Sequence, residues 1–226
     1  MQQISSELED ELDLLELDPE DSLANRIIAS FQQSTFDARP QDFLPEDCID
    51  ALVTPDAIRR ELELDELARE NPKFGKQWQN NLVCWVLEHA KRAFAITVQC
   101  EHGSRFTLRT LIRFRSSGFN DTFLPIENPR PAAGIVSTSK SWEAFFDPKL
   151  WAISRLYGFY EKQWKVLAPV FSPEQYNYDV SSECIFPFFM DGSMPKEGAF
   201  ASVHRVKIHK SHHKYENLKD VCVKLC

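Results

Sequence analysis

The chain has 226 residues, of which 43% are hydrophobic and 27% charged, and its formal net charge is −8. This composition is typical of a globular protein with one main core. The acidic balance argues against a general nucleic-acid binder, which would be basic. No apolar run approaches the roughly 20 residues of a membrane span, and we expect neither a signal peptide nor a membrane anchor.

The six cysteines show no C-x-x-C spacing of the kind that metal or redox sites use. They are Cys48, Cys84, Cys100, Cys184, Cys222 and Cys226. We therefore predict reduced, mostly buried thiols in a cytoplasmic protein.

The charge is unevenly distributed along the chain. The segment Glu7–Asp21 is acidic and contains no Lys or Arg, whereas Arg205–Lys224 is basic. Two interpretations stay open: the acidic segment folds back on the basic stretch, or it is a solvated terminus. We predict residues 1–18 to be an acidic, flexible tail.

Residues 19–126 are predicted to form a helical domain. Three proline pairs, Asp18-Pro19, Leu44-Pro45 and Thr54-Pro55, each mark a helix start. The apolar residues expected to face inward from these helices are Leu23, Ile27, Phe31, Cys48, Ile49, Leu52, Ile58, Leu62 and Leu67. Residues 76–100 continue with a helical stripe, although 95–98 would also fit a strand. Residues 105–115 fit both periodicities, and helical neighbours favour a helix.

Several side chains in these segments are predicted to be structural. His89 lies on the apolar stripe, and we expect it to be a hydrogen-bonded core or boundary residue. The five tryptophans are expected to be core residues rather than a ligand platform; they are Trp78, Trp85, Trp142, Trp151 and Trp164.

A break at Gly118–Pro125 precedes a predicted linker at 127–141 and a further helical segment at 142–180, which should pack on both neighbours. Asp147 and Pro148 are expected to begin its helix. The predicted buried stripe is Leu150, Ile153, Tyr157, Tyr160, Trp164 and Leu167. Trp151 and Phe159 lie off that stripe, so we predict a second, partly apolar surface. If the chain is a non-catalytic interaction module, this surface would face a protein partner.

The last part of the chain, 184–226, has the pattern of a short antiparallel sheet. Small residues at Gly198 and Ala201 form a turn before the alternating segment Val203–Ile208. The strand Val221-Cys222-Val223-Lys224 follows, with one lysine near its end. The predicted fold class is α+β, with a mainly helical N-terminal domain followed by this sheet.

These residues resemble the start of a protein-kinase N-lobe, and most closely that of kinase-domain proteins of filamentous fungi. The resemblance covers most of residues 75–226 and is strongest from Phe159 onward. Gly198 is similar to the middle glycine of the phosphate-covering loop, Val203 to the adenine-packing valine and Lys224 to the lysine of V-A-I-K. Lys196 and Ala201 stand where that loop pattern has its first and third glycines.

The resemblance implies binding of ATP with magnesium, with Lys224 contacting the α- and β-phosphates and Gly198 and Val203 enclosing the nucleotide. The downstream aspartates and asparagine of a kinase do not follow Lys224, so we assign no catalytic residue and expect no phosphotransfer by this chain alone. Relatives with the whole domain would be Ser/Thr kinases. The alternative is a non-catalytic helical interaction module with a vestigial lobe.

Three histidines, His209, His212 and His213, lie between the two predicted strands of this lobe. Imidazole is a common zinc ligand, but no cysteine or carboxylate stands at a suitable spacing and neighbouring lysines would repel a cation. We therefore predict no metal site and a solvated loop. The strand at Val221–Cys226 is expected to fray or to be covered by the helical domain, because a three-stranded sheet leaves it with an open edge.

Overall fold

The computed structural model describes residues 22–100, 103–127, 145, 151–175, 177–192, 196–197, 202–216 and 221–225. Eight α-helices lie in these residues: α1 Leu23–Ala29, α2 Glu46–Leu52, α3 Pro55–Glu61, α4 Leu64–Glu70, α5 Lys76–His89, α6 Lys91–Val98, α7 Ser104–Ser117 and α8 Ile153–Val166. The acidic segment and most of the predicted linker lie outside the described residues. No described helix is long and apolar enough to cross a membrane.

Two antiparallel sheets accompany the helices, which confirms the predicted α+β class. The first is a hairpin of β1 Gln32–Ser34 and β2 Gln41–Phe43. The second contains β3 Phe188–Met190, β4 Lys196–Glu197, β5 Ser202–Ile208 and β6 Val221–Leu225. β5 is central, because β3 and β4 pair with one of its edges and β6 with the other.

Local capping explains where several helices begin. The Ser22 hydroxyl accepts a hydrogen bond from the Asn25 N–H, and the Thr54 hydroxyl accepts one from the Ala57 N–H, both at 3.2 Å. Such side chains satisfy amides that have no partner within the first helical turn. The predicted starts after Leu44-Pro45 and at Thr54-Pro55 are confirmed, whereas Asp18-Pro19 lies outside the described residues.

The ambiguous segment 105–115 is helical, as we predicted, and lies within α7. Gly118 ends this helix with a φ of +74°, a left-handed conformation that glycine adopts at low cost. The stretch 76–100 is two helices rather than one, because Ala90 leaves the helical conformation between α5 and α6. Residues 95–98 belong to α6 and are not a strand.

The helix α6 has no cap within its own sequence, and a distant carboxylate supplies one. Asp121 accepts hydrogen bonds from the backbone N–H groups of Arg92 and Ala93 at 3.0 and 2.9 Å. Burial is the main cause that raises the pKa of Asp121, although the backbone hydrogen bonds and the Arg92 charge oppose it. The break at 118–125 is thereby fixed to the first turn of α6.

The main core has an aromatic centre between α7 and α8. Its rings are Phe106, Phe114, Phe119, Phe145, Trp151 and Phe159, all buried. The centroids of Phe114 and Phe119 are 4.5 Å apart, and those of Phe145 and Trp151 are 4.7 Å apart. Large rings in offset or edge-on contact bury much apolar area and add a specific attraction.

This centre corrects our prediction for the segment 142–180. Trp151 and Phe159 do not form a second surface for a partner, because both are buried in the core. The predicted stripe is displaced, and Ile153 is 60% exposed. The described helix begins at Ile153, after the non-helical Trp151 and Ala152, whereas the start predicted at Asp147-Pro148 lies outside the described residues. The residues that α8 does bury are Phe159, Tyr160, Gln163 and Val166.

Gln163 explains how a polar residue can lie on the buried face of α8. Its side-chain oxygen accepts from the Ile126 N–H at 2.8 Å, and its amide nitrogen donates to the Ile126 carbonyl at 3.0 Å. Both polar ends of the amide are satisfied, so its burial costs little. The pair fastens the extended segment after α7 to α8.

The hairpin β1–β2 joins the helices to the larger sheet. The Thr35 N–H donates to the Phe188 carbonyl at 3.0 Å, and the Met190 N–H donates to the Thr35 hydroxyl at 2.9 Å. At the other end of the hairpin, the Leu44 N–H donates to the Lys165 carbonyl at 2.6 Å. Strand β3 and the end of α8 are thus held by the same short hairpin.

Candidate functional site

The register of the larger sheet brings two of the three expected nucleotide-binding residues together. Val203 in β5 is directly opposite Lys224 in β6, and on its other side it is opposite Lys196 in β4. Gly198, the third expected residue, lies outside the described residues. It belongs to the four residues that join the paired ends Glu197 and Ser202.

The two faces of β5 differ in exposure. Val206 is fully buried, whereas Arg205 and Lys207 are exposed and Val203 is half-buried. Residues at alternate positions of a strand share a face, so Val203, Arg205 and Lys207 belong to the open face. Arg205 lies 3.8 Å from a carboxylate oxygen of Asp191 at the edge of this face.

The histidines after β5 correct the prediction of a solvated loop, because His212 is 1% exposed. Its Nε2 accepts a hydrogen bond from the Glu46 N–H at 3.1 Å, and its Nδ1 lies 3.0 Å from the Pro169 carbonyl oxygen. A carbonyl can only accept, so the proton of the neutral ring is on Nδ1. Burial is the main cause that lowers the pKa of His212.

His209 is in the opposite tautomer. Its Nδ1 accepts from the Ser211 N–H at 3.3 Å and lies 2.9 Å from the Ser211 hydroxyl, which leaves the ring proton on Nε2. Burial lowers the pKa of His209 as well. Both rings make edge contacts with the buried Phe43, at 5.7 Å for His209 and 5.3 Å for His212.

These contacts give the histidines a structural role. His212 hydrogen-bonds the start of α2 and the segment after α8, which are far from it in sequence. In the part of the chain that the structure describes, no three His, Cys, Asp or Glu side chains come close enough to hold a metal ion. Sequence reasoning missed the partners of His212 because both are backbone groups, which leave no mark in the side-chain pattern.

A cleft of about 490 Å³ lies beside His213, between the helices and the sheet. Its wall includes the Glu46–Arg92 ion pair and, across the opening, Lys214. The apolar lining comes from residues 124–125 and 167–170. Opposite charges on the walls do not select one class of ligand, and Val203 is not among the lining residues.

The remaining residues singled out from the sequence have structural positions. His89 is exposed at the end of α5, and the prediction that it is a core or boundary residue is wrong because the helix ends there. Trp151 is a core residue, and Trp78, Trp85 and Trp164 are partly buried against the core. Trp142 lies outside the described residues. The described cysteines, Cys48, Cys84, Cys100 and Cys184, are free thiols.

One charged feature was not singled out from the sequence. Arg105, Arg109 and Arg113 repeat every four residues in α7, and the spacing alone would have indicated one helical face. The ambiguity between helix and strand at 105–115 concealed it, because the same residues would divide differently on a strand.

No protein-family model, curated protein or solved structure matches the chain.

Proposed function

We propose that the chain binds ATP with magnesium on the open face of β5 and β6, and that its helices support this sheet. The observation that carries the proposal is the pairing of Val203 with Lys224 in adjacent antiparallel strands. A nucleotide site of the kind that the sequence resembles needs an apolar residue against the base and a lysine for the phosphates. Directly opposite residues of an antiparallel pair belong to one face.

Two further features support the proposal. The face of β5 that includes Val203 is open, and the opposite face is covered at Val206. The connection that contains Gly198 leads directly into β5 one residue before the Val203–Lys224 pair. The proposed roles are enclosure of the nucleotide by Gly198 and Val203, and contact with the α- and β-phosphates by Lys224.

The proposal assigns binding and no phosphoryl transfer, since none of the three residues acts as a base or activates a nucleophile. It also places the chain in the cytoplasm, where ATP is abundant and free thiols stay reduced. The nucleotide would then act as a ligand that stabilises the sheet.

A thermal-shift titration with Mg-ATP tests the proposal. A ligand present at 100 times its dissociation constant adds about 2.7 kcal/mol to the free energy of unfolding. For a chain of this size the melting temperature should rise by roughly 5–10 °C. Lys224→Ala should abolish the rise, because the phosphates lose their cation.

The matched control is Lys207→Ala, which removes an exposed lysine four residues from Val203 on the same face of the sheet. Its nucleotide-induced shift should equal that of the unmodified chain. The proposal fails if millimolar Mg-ATP produces no shift. It fails equally if the two alanine variants lose the shift to the same degree, since binding would then reflect the general charge of the face.

A further inference from the structure

The helix α7 has an unusual charge for this protein. It contains Arg105, Arg109, Arg113 and Arg115 and no Asp or Glu, so it carries a formal charge of +4 in a chain whose net charge is −8. Arg105, Arg109 and Arg115 are exposed, and Arg113 is half-buried. The opposite side of the helix is buried in the aromatic core.

Three of the arginines lie along one line. Residues four apart lie on the same side of a helix and are separated by about 6 Å along its axis. Arg105, Arg109 and Arg113 therefore follow the outer surface of α7 for about 12 Å. Ile112 lies on the same side and is 38% exposed, which adds an apolar position among the charges.

Within the described residues, the exposed Arg105, Arg109 and Arg115 keep most of their charge unneutralised. The Arg105 guanidinium lies 3.2 Å from the Glu70 carboxylate, but both side chains are more than half exposed, and such pairs are weak. No ion pair joins Arg109 or Arg115 to another residue within the described parts of the chain. The face defined by Arg105, Arg109, Ile112 and Arg113 is called the arginine face below.

We propose that the arginine face is a docking surface for an acidic protein segment that also contains leucines. Carboxylates would pair with the guanidinium groups, and a leucine would cover Ile112. The exposed isoleucine favours such a segment over nucleic acid, whose charged backbone has no apolar group to place there.

The structure argues against a lipid surface as the occupant. An interfacial helix needs a broad apolar face that enters the membrane. In α7 that face, with Phe106, Leu111 and Phe114, is buried in the protein core. One exposed isoleucine is too little apolar surface to replace it.

The sequence itself contains a segment of the required chemistry, which defines a probe. Residues 7–21 have nine acids, five leucines and neither Lys nor Arg. Acids occur at alternate positions from Glu7 to Asp13. In an extended peptide such positions are about 7 Å apart, close to the spacing of about 6 Å between successive arginines of the face.

The test measures fluorescence anisotropy of a labelled synthetic peptide with the sequence of residues 4–21. It is titrated with the whole chain in which the nine acids of residues 7–21 are changed to Asn or Gln, so that the chain's own copy of the segment does not compete for the face. The face variant is Arg105→Glu with Arg109→Glu, and the matched control is Lys73→Glu with Lys76→Glu. Both change the net charge equally, and all four side chains are exposed. We expect saturable binding that weakens by about tenfold or more in the face variant.

The control should change the affinity by less than about twofold, and binding should weaken with ionic strength. The proposal is overturned if no saturable binding occurs at millimolar protein, or if the two variants weaken binding equally. Tighter binding of a single-stranded RNA or of phosphatidylserine vesicles, lost in the face variant, would assign the face to that partner instead. The Mg-ATP thermal shift should be the same in all these proteins, because the arginine face is separate from the sheet.

Discussion

At the scale of single residues, His212 makes the stability of the fold depend on pH. Its ring is neutral in the folded protein, because Nε2 accepts from Glu46 and Nδ1 donates to Pro169. Protonation would add a hydrogen to Nε2, which now accepts, and this hydrogen would face the Glu46 N–H, which also donates. The charge of Glu46 raises the pKa of His212, and a charge on His209 would lower it further.

We expect the stability of the chain to fall as the pH drops below about 6.5, the ordinary pKa of histidine. The folded-state pKa of His212 is lowered, so the unfolded chain binds more protons in this window, and acid favours unfolding. His209 contributes in the same direction. Above that pH the contribution is fully present. Melting temperatures measured from neutral to mildly acidic pH check this expectation.

The variant His212→Gln keeps a donor and an acceptor but does not titrate, so its stability should depend less steeply on acidity. His212→Phe leaves two half-buried backbone groups without their partner, each at a cost of up to about 1–3 kcal/mol. His89→Gln, at an exposed histidine that makes neither of these hydrogen bonds, is the control for the substitution itself, and its melting temperature at neutral pH should match the wild type. A wild-type slope in His212→Gln would contradict the role given to this ring.

At the scale of secondary-structure elements, α6 depends on a cap from another part of the chain. Asp121→Ala leaves the Arg92 and Ala93 amides without their acceptor. Losing such a cap costs about 0.5–2 kcal/mol. The melting temperature should fall by roughly 2–8 °C. Thermal denaturation followed by circular dichroism measures the change.

Asp179→Ala removes an exposed carboxylate from a loop and should have almost no effect. Asp121→Asn keeps one acceptor oxygen and should fall between the wild type and the alanine variant. If Asp121→Ala and Asp179→Ala have the same melting temperature, the Asp121 carboxylate does not cap α6 in solution.

The elements also show what sequence could predict. Starts such as Thr54-Pro55 and the stop at Gly118 were predictable, because caps and left-handed turns depend on adjacent residues. The buried face of α8 was not predictable, because two faces of the helix are apolar. Which of them is buried depends on aromatic rings from distant parts of the sequence. Gln163 made this face harder to predict. Its polar side chain can be buried only because the backbone of Ile126 hydrogen-bonds both ends of its amide.

The same distinction applies to the candidate site. The alternation of 203–208 and the apolar run at 221–223 predicted two strands, and the structure pairs them. The hairpin β1–β2 was missed, because its short strands are mostly polar and its contacts are with residues near 188. Hydrogen bonds between residues so far apart in the chain leave no pattern in the local sequence.

At the scale of the whole molecule, Phe43 is the largest residue of a second, smaller core cluster, and Trp164 packs against both this cluster and the main core. Phe43 is fully buried, packs with Ala168 and Ile185, and its ring contacts His212 and Phe189. Because one hairpin holds both the end of α8 and β3, we expect the described helices and sheet to unfold in one transition. A calorimetric enthalpy equal to the van't Hoff enthalpy would confirm this.

Phe43→Ala should lower the stability by about 3–5 kcal/mol and retain a single transition at a lower temperature. The half-buried Phe36 offers a control, and Phe36→Ala should cost less. Two separated transitions in the unmodified chain, one for the sheet and one for the helices, would show that the hairpin does not couple them.

The partners of the hairpin lie far along the chain, so the hairpin is synthesised long before the residues that it packs against. Ser34 bonds to a carbonyl 154 residues later, and Glu46 to a ring 166 residues later. At ordinary rates of translation the second interval lasts on the order of 10–30 s. Through that time Phe43 has none of its ring partners from 189 to 212, so this one apolar residue of the hairpin stays uncovered until the other half of its core has been synthesised. Chaperone binding to the nascent chain would be most useful in this interval, and truncation before His212 would extend it indefinitely.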